Sequence, residues 1–315
     1  MAITDPFRGI LPAMQVPFND DLMVDEPELR RFSIWLAGHR GIGGLVPNGH
    51  TGEVFALSAE ERALVTKTVV DAVDGKVPVI SGICAEGINE AVEHAEMARD
   101  AGAAGLLIMP PHYWLRFGMQ PEHVIDHFTA IGKAVDINLV VHIYPDWCKA
   151  RYASELLAEL AGLPWVTTFK VGTREMSKYD RDLRAIKATG ENVTMLTCHD
   201  EYLLTSMVQG VDGALVGFAS FIPELITALY AAVCDGDLKE AQMLQNQIYG
   251  LKEVVYASGE PTGDAHGRMK TAMHHAGRFK STTVRPPTRQ PTGDSLQRIK
   301  DAVNASGLIQ SRAAE

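Results

Sequence analysis

At 315 residues and 46% hydrophobic, the chain is long enough to bury one large α/β core or two small ones. A formal net charge of −10 opposes nucleic acid and anionic membrane as principal partners, yet leaves room for a local basic pocket that takes an anionic small molecule. The four cysteines, Cys84, Cys148, Cys198 and Cys234, form no CxxC pair and no disulfide-like framework, so they read as free thiols of a reducing compartment.

The first ten residues carry Asp5 and Arg8 and lack the apolar stretch of a signal peptide. No run approaches the roughly 18 apolar residues of a membrane span, and the expected location is the cytoplasm. From there the chain alternates. Eight apolar, β-rich runs cover residues 9–18, 43–48, 77–84, 105–110, 139–144, 166–171, 193–198 and 213–218. They are nearly continuous in apolar residues, as parallel strands covered on both faces require. The stretches between them read as helices. Ser58 with Glu61 opens one as a capping box, and Gly102 closes the one over residues 91–101. Eight such units without a linker predict an α/β fold of the (β/α)8 TIM-barrel type. Three further helical stretches, residues 238–257, 264–276 and 293–306, predict a helical C-terminal extension. The expected division is a barrel over residues 1–235 and the extension, packed on it, over residues 236–315.

Three features point to chemistry. Lys170 ends the sixth run, Trp165-Val-Thr-Thr-Phe-Lys-Val-Gly172, whereas Lys67, Lys133, Lys187 and Lys239 fall on helices, where water accounts for them. An ammonium at the end of a buried strand is costly unless paired or deprotonated. Desolvation favours the neutral amine, the form that attacks a ketone. A structural ion pair with Glu53 or Asp200 is the alternative reading. Tyr144 ends the fifth run just before Pro145, on the strand neighbouring that of Lys170 and at the same rim. A phenol there shuttles protons, or is simply a core tyrosine with a backbone partner. The second run ends in Asn48-Gly-His-Thr-Gly-Glu53, a turn whose glycines expose N–H groups suited to a carboxylate, although a plain βα turn looks the same.

With these residues in place, the sequence resembles the dihydrodipicolinate synthase and N-acetylneuraminate lyase family of class I aldolases. The resemblance runs through Gly9-Ile-Leu-Pro-Ala, Gly49-His-Thr-Gly-Glu53, Pro110-Pro-His-Tyr113, Ile143-Tyr144, Phe169-Lys170 and Gly213-Ala-Leu215. It implies a TIM barrel with a helical extension and a homotetramer built as a dimer of dimers. It implies that Lys170 forms the Schiff base, that Tyr144 is the catalytic tyrosine and that His50 stands in its proton relay. Thr51 and Gly52 would hold the keto-acid carboxylate, Leu215 would offer a backbone carbonyl, and Tyr113 would reach across a dimer interface. Lys149 falls where the synthases carry an arginine for the second substrate. Departures are His50 for a hydroxyl residue, Pro145 for asparagine, Lys149 for arginine, Trp147 and Trp114 in the acceptor region, and Val171 where an acidic residue is common.

The leading expectation is a pyruvate-dependent (2-keto acid) aldolase, lyase or hydratase-aldolase, with an aldehyde or sugar acid as the other substrate and no cofactor. A sugar-acid dehydratase and dihydrodipicolinate synthase itself are the alternatives within the family. From another class comes a metal-dependent barrel hydrolase or class II aldolase using His50, His112, His142 and His199. No HxH or HExxH spacing occurs, so no metal is expected. A non-catalytic binding role is the remaining reading.

Overall fold

The computed structural model describes residues 5–144, 149–256 and 263–309. Seven parallel strands form one sheet: β1 (Gly9–Pro12), β2 (Ile80–Ile83), β3 (Gly105–Ile108), β4 (Asn138–Ile143), β5 (Val166–Val171), β6 (Thr194–Thr197) and β7 (Gly213–Val216). Their order is β1-β7-β6-β5-β4-β3-β2. Helices occupy the connections, and the Ser58–Glu61 capping box opens the helix Ala59–Val73 with both reciprocal bonds.

The expected second strand is corrected in form. Residues 42–46 pair only through isolated bridges, Ile42 with Ile10, Val46 with Ala13 and Leu45 with Val79. The segment nevertheless bonds on both sides. Gly43 N donates to Ile10 O (2.8 Å) and Val46 N to Pro12 O (3.0 Å), while Ile80 N donates to Leu45 O and Gly82 N to Pro47 O (both 2.9 Å). It therefore joins the two edges of the sheet. Its irregularity follows from composition. Pro47 has no N–H for a ladder, and a Cβ on Gly43 would lie 1.8 Å from Arg8 O. Gly43→Ala is accordingly expected to lose about 3 kcal/mol, the upper end of overpacking costs, read as a lower urea midpoint. A loss below about 0.5 kcal/mol would show that this backbone gives way easily.

Alternation along the strands divides the core. Leu11, Val46, Ile80, Leu107, Val140, Leu196 and Leu215 form a separate apolar cluster inside the sheet. Their strand neighbours, such as Ile10, Leu106, Val141, Phe169 and Ala214, pack outward against the helices. The inner cluster is a plug. Everything two residues further along each strand sits on top of it.

After β7 come the helices Pro223–Cys234, Leu238–Val255, Ala265–His275 and Gly293–Ala305. Leu238–Val255 packs on Pro223–Cys234 and on Gly293–Ala305, and the latter also packs on Ala265–His275. Among the described residues, no helix is long and apolar enough to cross a membrane.

Candidate active site

Two residues further along five of the strands, the inward positions change character. Ala13, Val140, Leu196 and Leu215 of the plug give way to Gln15, His142, Cys198 and Gly217, and Thr168 gives way to Lys170. All five new residues line one cavity of about 470 Å³ at the C-terminal ends of the strands. This is the end at which parallel α/β sheets place their chemistry.

Lys170 is level with His142 of the neighbouring strand, their Cα atoms paired across β4 and β5. Burial holds its amine below the ordinary lysine range; Arg174 pushes the same way, while Cys198 and Asp200 oppose. Neither carboxylate suggested as an ion-pair partner is used. Glu53 pairs with Lys270 at 2.5 Å. Asp200 accepts from Tyr256 Oη (2.8 Å) and Phe218 N (3.1 Å). Burial raises the Asp200 carboxyl to about 6, against the lowering effect of the Tyr256 bond.

Tyr144 is buried just past the end of β4, and its hydroxyl shares a 2.8 Å hydrogen bond with His50 Nε2. Burial, then the nearby Lys170, lowers His50 to about 3, so this imidazole is neutral at physiological pH. Its ring stacks on Phe55. The turn bearing His50 and Thr51 is pinned at both ends by residues in left-handed conformation, Asn48 (φ 58°) and Glu53 (φ 53°). Asn48 Nδ2 donates to Arg62 O, Thr66 Oγ1 and Ser81 Oγ. Thr51 lines the cavity. Gly52 does not; its N–H is used within the turn, on Gly49 O (3.0 Å). A Cβ on Gly217 would meet Thr51 Oγ1 at 3.0 Å and Tyr256 Oη at 3.1 Å, so glycine there keeps the space beside Thr51 open.

The remaining expected residues divide. Leu215 lines the cavity, whereas Tyr113 and Lys149 are exposed and do not. Trp114 is buried against His127 outside the cavity, and Pro145 and Trp147 lie outside the described residues. Of the four histidines, His50, His112 and His142 come together, with ring centroids 6.2 Å (His50–His112) and 5.7 Å (His50–His142) apart. His199 is buried elsewhere, between Tyr179 and Tyr202. Among the described residues, no group of three or more His, Cys, Asp and Glu side chains is arranged to hold a metal ion. The structure adds Gln15, Arg174, Tyr256, His266 and Met269 to the cavity wall. Gln15 was legible as a polar residue of inward parity in an apolar run. Tyr256, His266 and Met269 arrive from helices far along the chain and carry no local signal.

A half-buried lysine whose amine is held below its ordinary range, at the open end of a parallel sheet, suits carbon–carbon bond chemistry, and fold and site place this chain among the α/β lyases. The profile of the Dihydrodipicolinate synthetase family matches residues 6–306, and the chain belongs to that family. It is an enzyme of the lyase type, as its relatives are. A 4-hydroxy-tetrahydrodipicolinate synthase of Natronomonas pharaonis is 33% identical over 82% of this chain and 85% of its own length. A DapA-like lyase of Thermofilum pendens is 31% identical over 90% of this chain and 93% of its own. The crystal structure of a dihydrodipicolinate synthase from Acinetobacter baumannii, complexed with pyruvate, superposes with a TM-score of 0.85 at 25% identity, covering 96% of this chain and all (100%) of that one.

Proposed function

We propose that the enzyme is a pyruvate-dependent aldolase or hydratase-aldolase that holds its 2-keto acid as a Schiff base on Lys170. One observation carries the reading. Lys170 points into the cavity above the apolar plug, and among the described residues no carboxylate forms an ion pair with it. A structural lysine would be paired; a nucleophile must not be.

The neutral amine adds to the C2 carbonyl, water leaves, and a protonated imine results. The imine nitrogen then accepts the electron pair released when the C3–C4 bond breaks, giving an enamine and an aldehyde. Tyr144, joined to His50, takes the proton from the C4 hydroxyl as that bond breaks and returns it on the way back. Thr51 faces the carboxylate, with Gly217 leaving it room. A 2-keto acid of the pyruvate class fits this arrangement, and the relative seen with pyruvate supports it.

Residues 236–315 are read as a helical extension that supplies the cavity with Tyr256, His266 and Met269. Exposed Tyr113 (44%) and Phe117 (73%) support a face shared between copies, in keeping with a homotetramer. No metal or cofactor enters the scheme.

The decisive experiment is borohydride reduction in the presence of pyruvate. A stable adduct on the peptide carrying Lys170 is expected by mass spectrometry. Turnover without any adduct, and with sensitivity to a chelator, would mean that the amine is not the nucleophile.

A further inference from the structure

His142 occupies the inward strand position two residues beyond Val140 of the apolar plug. Its imidazole Nδ1 is buried and, among the described residues, has no hydrogen-bond partner. Leaving a polar atom so costs about 1–3 kcal/mol, which calls for a reason. The ring lines the cavity, and its Cα is paired with that of Lys170 on a strand about 4.8 Å away. Tyr144 takes the next inward position on the same side, one layer nearer the mouth, and its hydroxyl is already engaged by His50. This one strand therefore brings two proton-handling groups to the cavity at two depths.

We propose that His142 is the base that takes a proton from C3 of a keto acid held on Lys170, while Tyr144 with His50 serves the substrate oxygen. The assignment rests on the Schiff-base reading above. In the step, the C3–H bond breaks, its electron pair forms the C2=C3 bond, the imine π pair moves to nitrogen, and the proton goes to His142. When C4 carries a hydroxyl, the sequence continues. The nitrogen pair re-forms C2=N, the C2=C3 pair becomes C3=C4, and the C4–O bond breaks with the oxygen taking the proton from His142. Water leaves and the imidazole ends neutral. The ligand class is thus a 2-keto acid bearing a C4 hydroxyl, or in reverse a C3=C4 double bond.

Among the described residues, the charged and titratable groups facing His142 are Lys170 and Arg174 from β5 and the loop after it, His50 from its turn and Tyr144 from just past the end of its own strand. Burial first, and then Lys170, His50 and Arg174, disfavour an imidazolium, so the ring is in its base form at neutral pH.

The test follows the methyl signal of pyruvate in deuterated water by NMR, beside the yield of borohydride-trapped adduct. His142→Asn and His142→Gln are expected to trap adduct within about 3-fold of wild type yet exchange the methyl at least about 100-fold more slowly, since a positioned base contributes about 10²–10⁴-fold. In the wild type, exchange per adduct should stay flat from pH 6 to pH 8. A variant that traps and still exchanges within about 3-fold overturns the proposal. So does wild-type exchange that rises about tenfold per pH unit, because that marks the Tyr144 phenolate as the base. Loss of trapping in both variants overturns it too, since His142 would then act before the imine exists. Absence of adduct in the wild type is a different outcome: it removes the Schiff base itself.

Discussion

Replacing Lys170 with alanine is expected to abolish trapping of pyruvate and to cut turnover by about 10⁴-fold or more, the scale seen when a covalent nucleophile is deleted. Lys170→Arg should fail as completely. A guanidinium is never deprotonated in a protein and has no free pair for a ketone. The comparison separates loss of the nucleophile from loss of a positive charge, which arginine would retain. The pH dependence of trapping carries the sign of the mechanism. Imine formation needs the neutral amine, so its rate climbs with pH while Lys170 loses its proton and then levels off. Burial places that plateau below the value of about 10.4 for a free lysine. A rate still climbing at pH 10 would mean an ordinary solvated ammonium. Persistence of turnover in both variants would hand the chemistry to the histidines.

The core of this site was legible because Lys170 and Tyr144 stand at the C-terminal ends of apolar runs, the rim where parallel α/β sheets place their chemistry. In the structure, alternation turns both into the cavity, Lys170 above Thr168 and Tyr144 above His142. The same rule pointed at His142 and Cys198, yet a histidine at a rim reads as easily as a polar edge residue. Its pairing with Lys170 emerges only once the register of β4 and β5 is known. The edge-joining segment was read as an ordinary strand over residues 43–48, because its apolar residues hide how closely Gly43 must approach Arg8. Glu53 was the other blind spot. Its partner Lys270 lies 217 positions later in the chain, and no local pattern announces a contact of that range.

That pair carries the second large effect. Lys270 is fully buried (0% exposed) and Glu53 nearly so (3%), with Nζ and Oε1 2.5 Å apart as a close ion pair rather than an aligned hydrogen bond. The ammonium also donates to Thr283 O (2.9 Å) and lies 4.2 Å from the Phe18 ring centroid. The Arg285 guanidinium reaches the same ring from 4.5 Å, and the Arg285 backbone N–H donates to Glu53 Oε2 (3.3 Å). Glu53→Gln keeps the shape and an acceptor for Arg285 but strands a buried cation. The expected loss is about 3–5 kcal/mol, a large share of the roughly 5–15 kcal/mol that holds a domain together. Burial lowers Lys270 to about 8 even with Glu53 pulling upward, and removing the carboxylate lowers it further. The unfolded chain keeps its proton up to about pH 10.4, so stability rises with pH once the folded lysine starts to lose its own. In the variant that rise begins at lower pH than in the wild type. Its deficit in urea unfolding should therefore shrink between pH 6 and pH 8. A deficit that grows over this window, or one under about 1 kcal/mol, would mean that Lys270 is stabilised without Glu53. The contact also ties the Thr51 turn to the helix Ala265–His275, which carries Ala265, His266 and Met269 to the cavity wall. Keto-acid trapping should thus weaken in the variant even at temperatures where it remains folded, because the turn loses the anchor that sets its left-handed end.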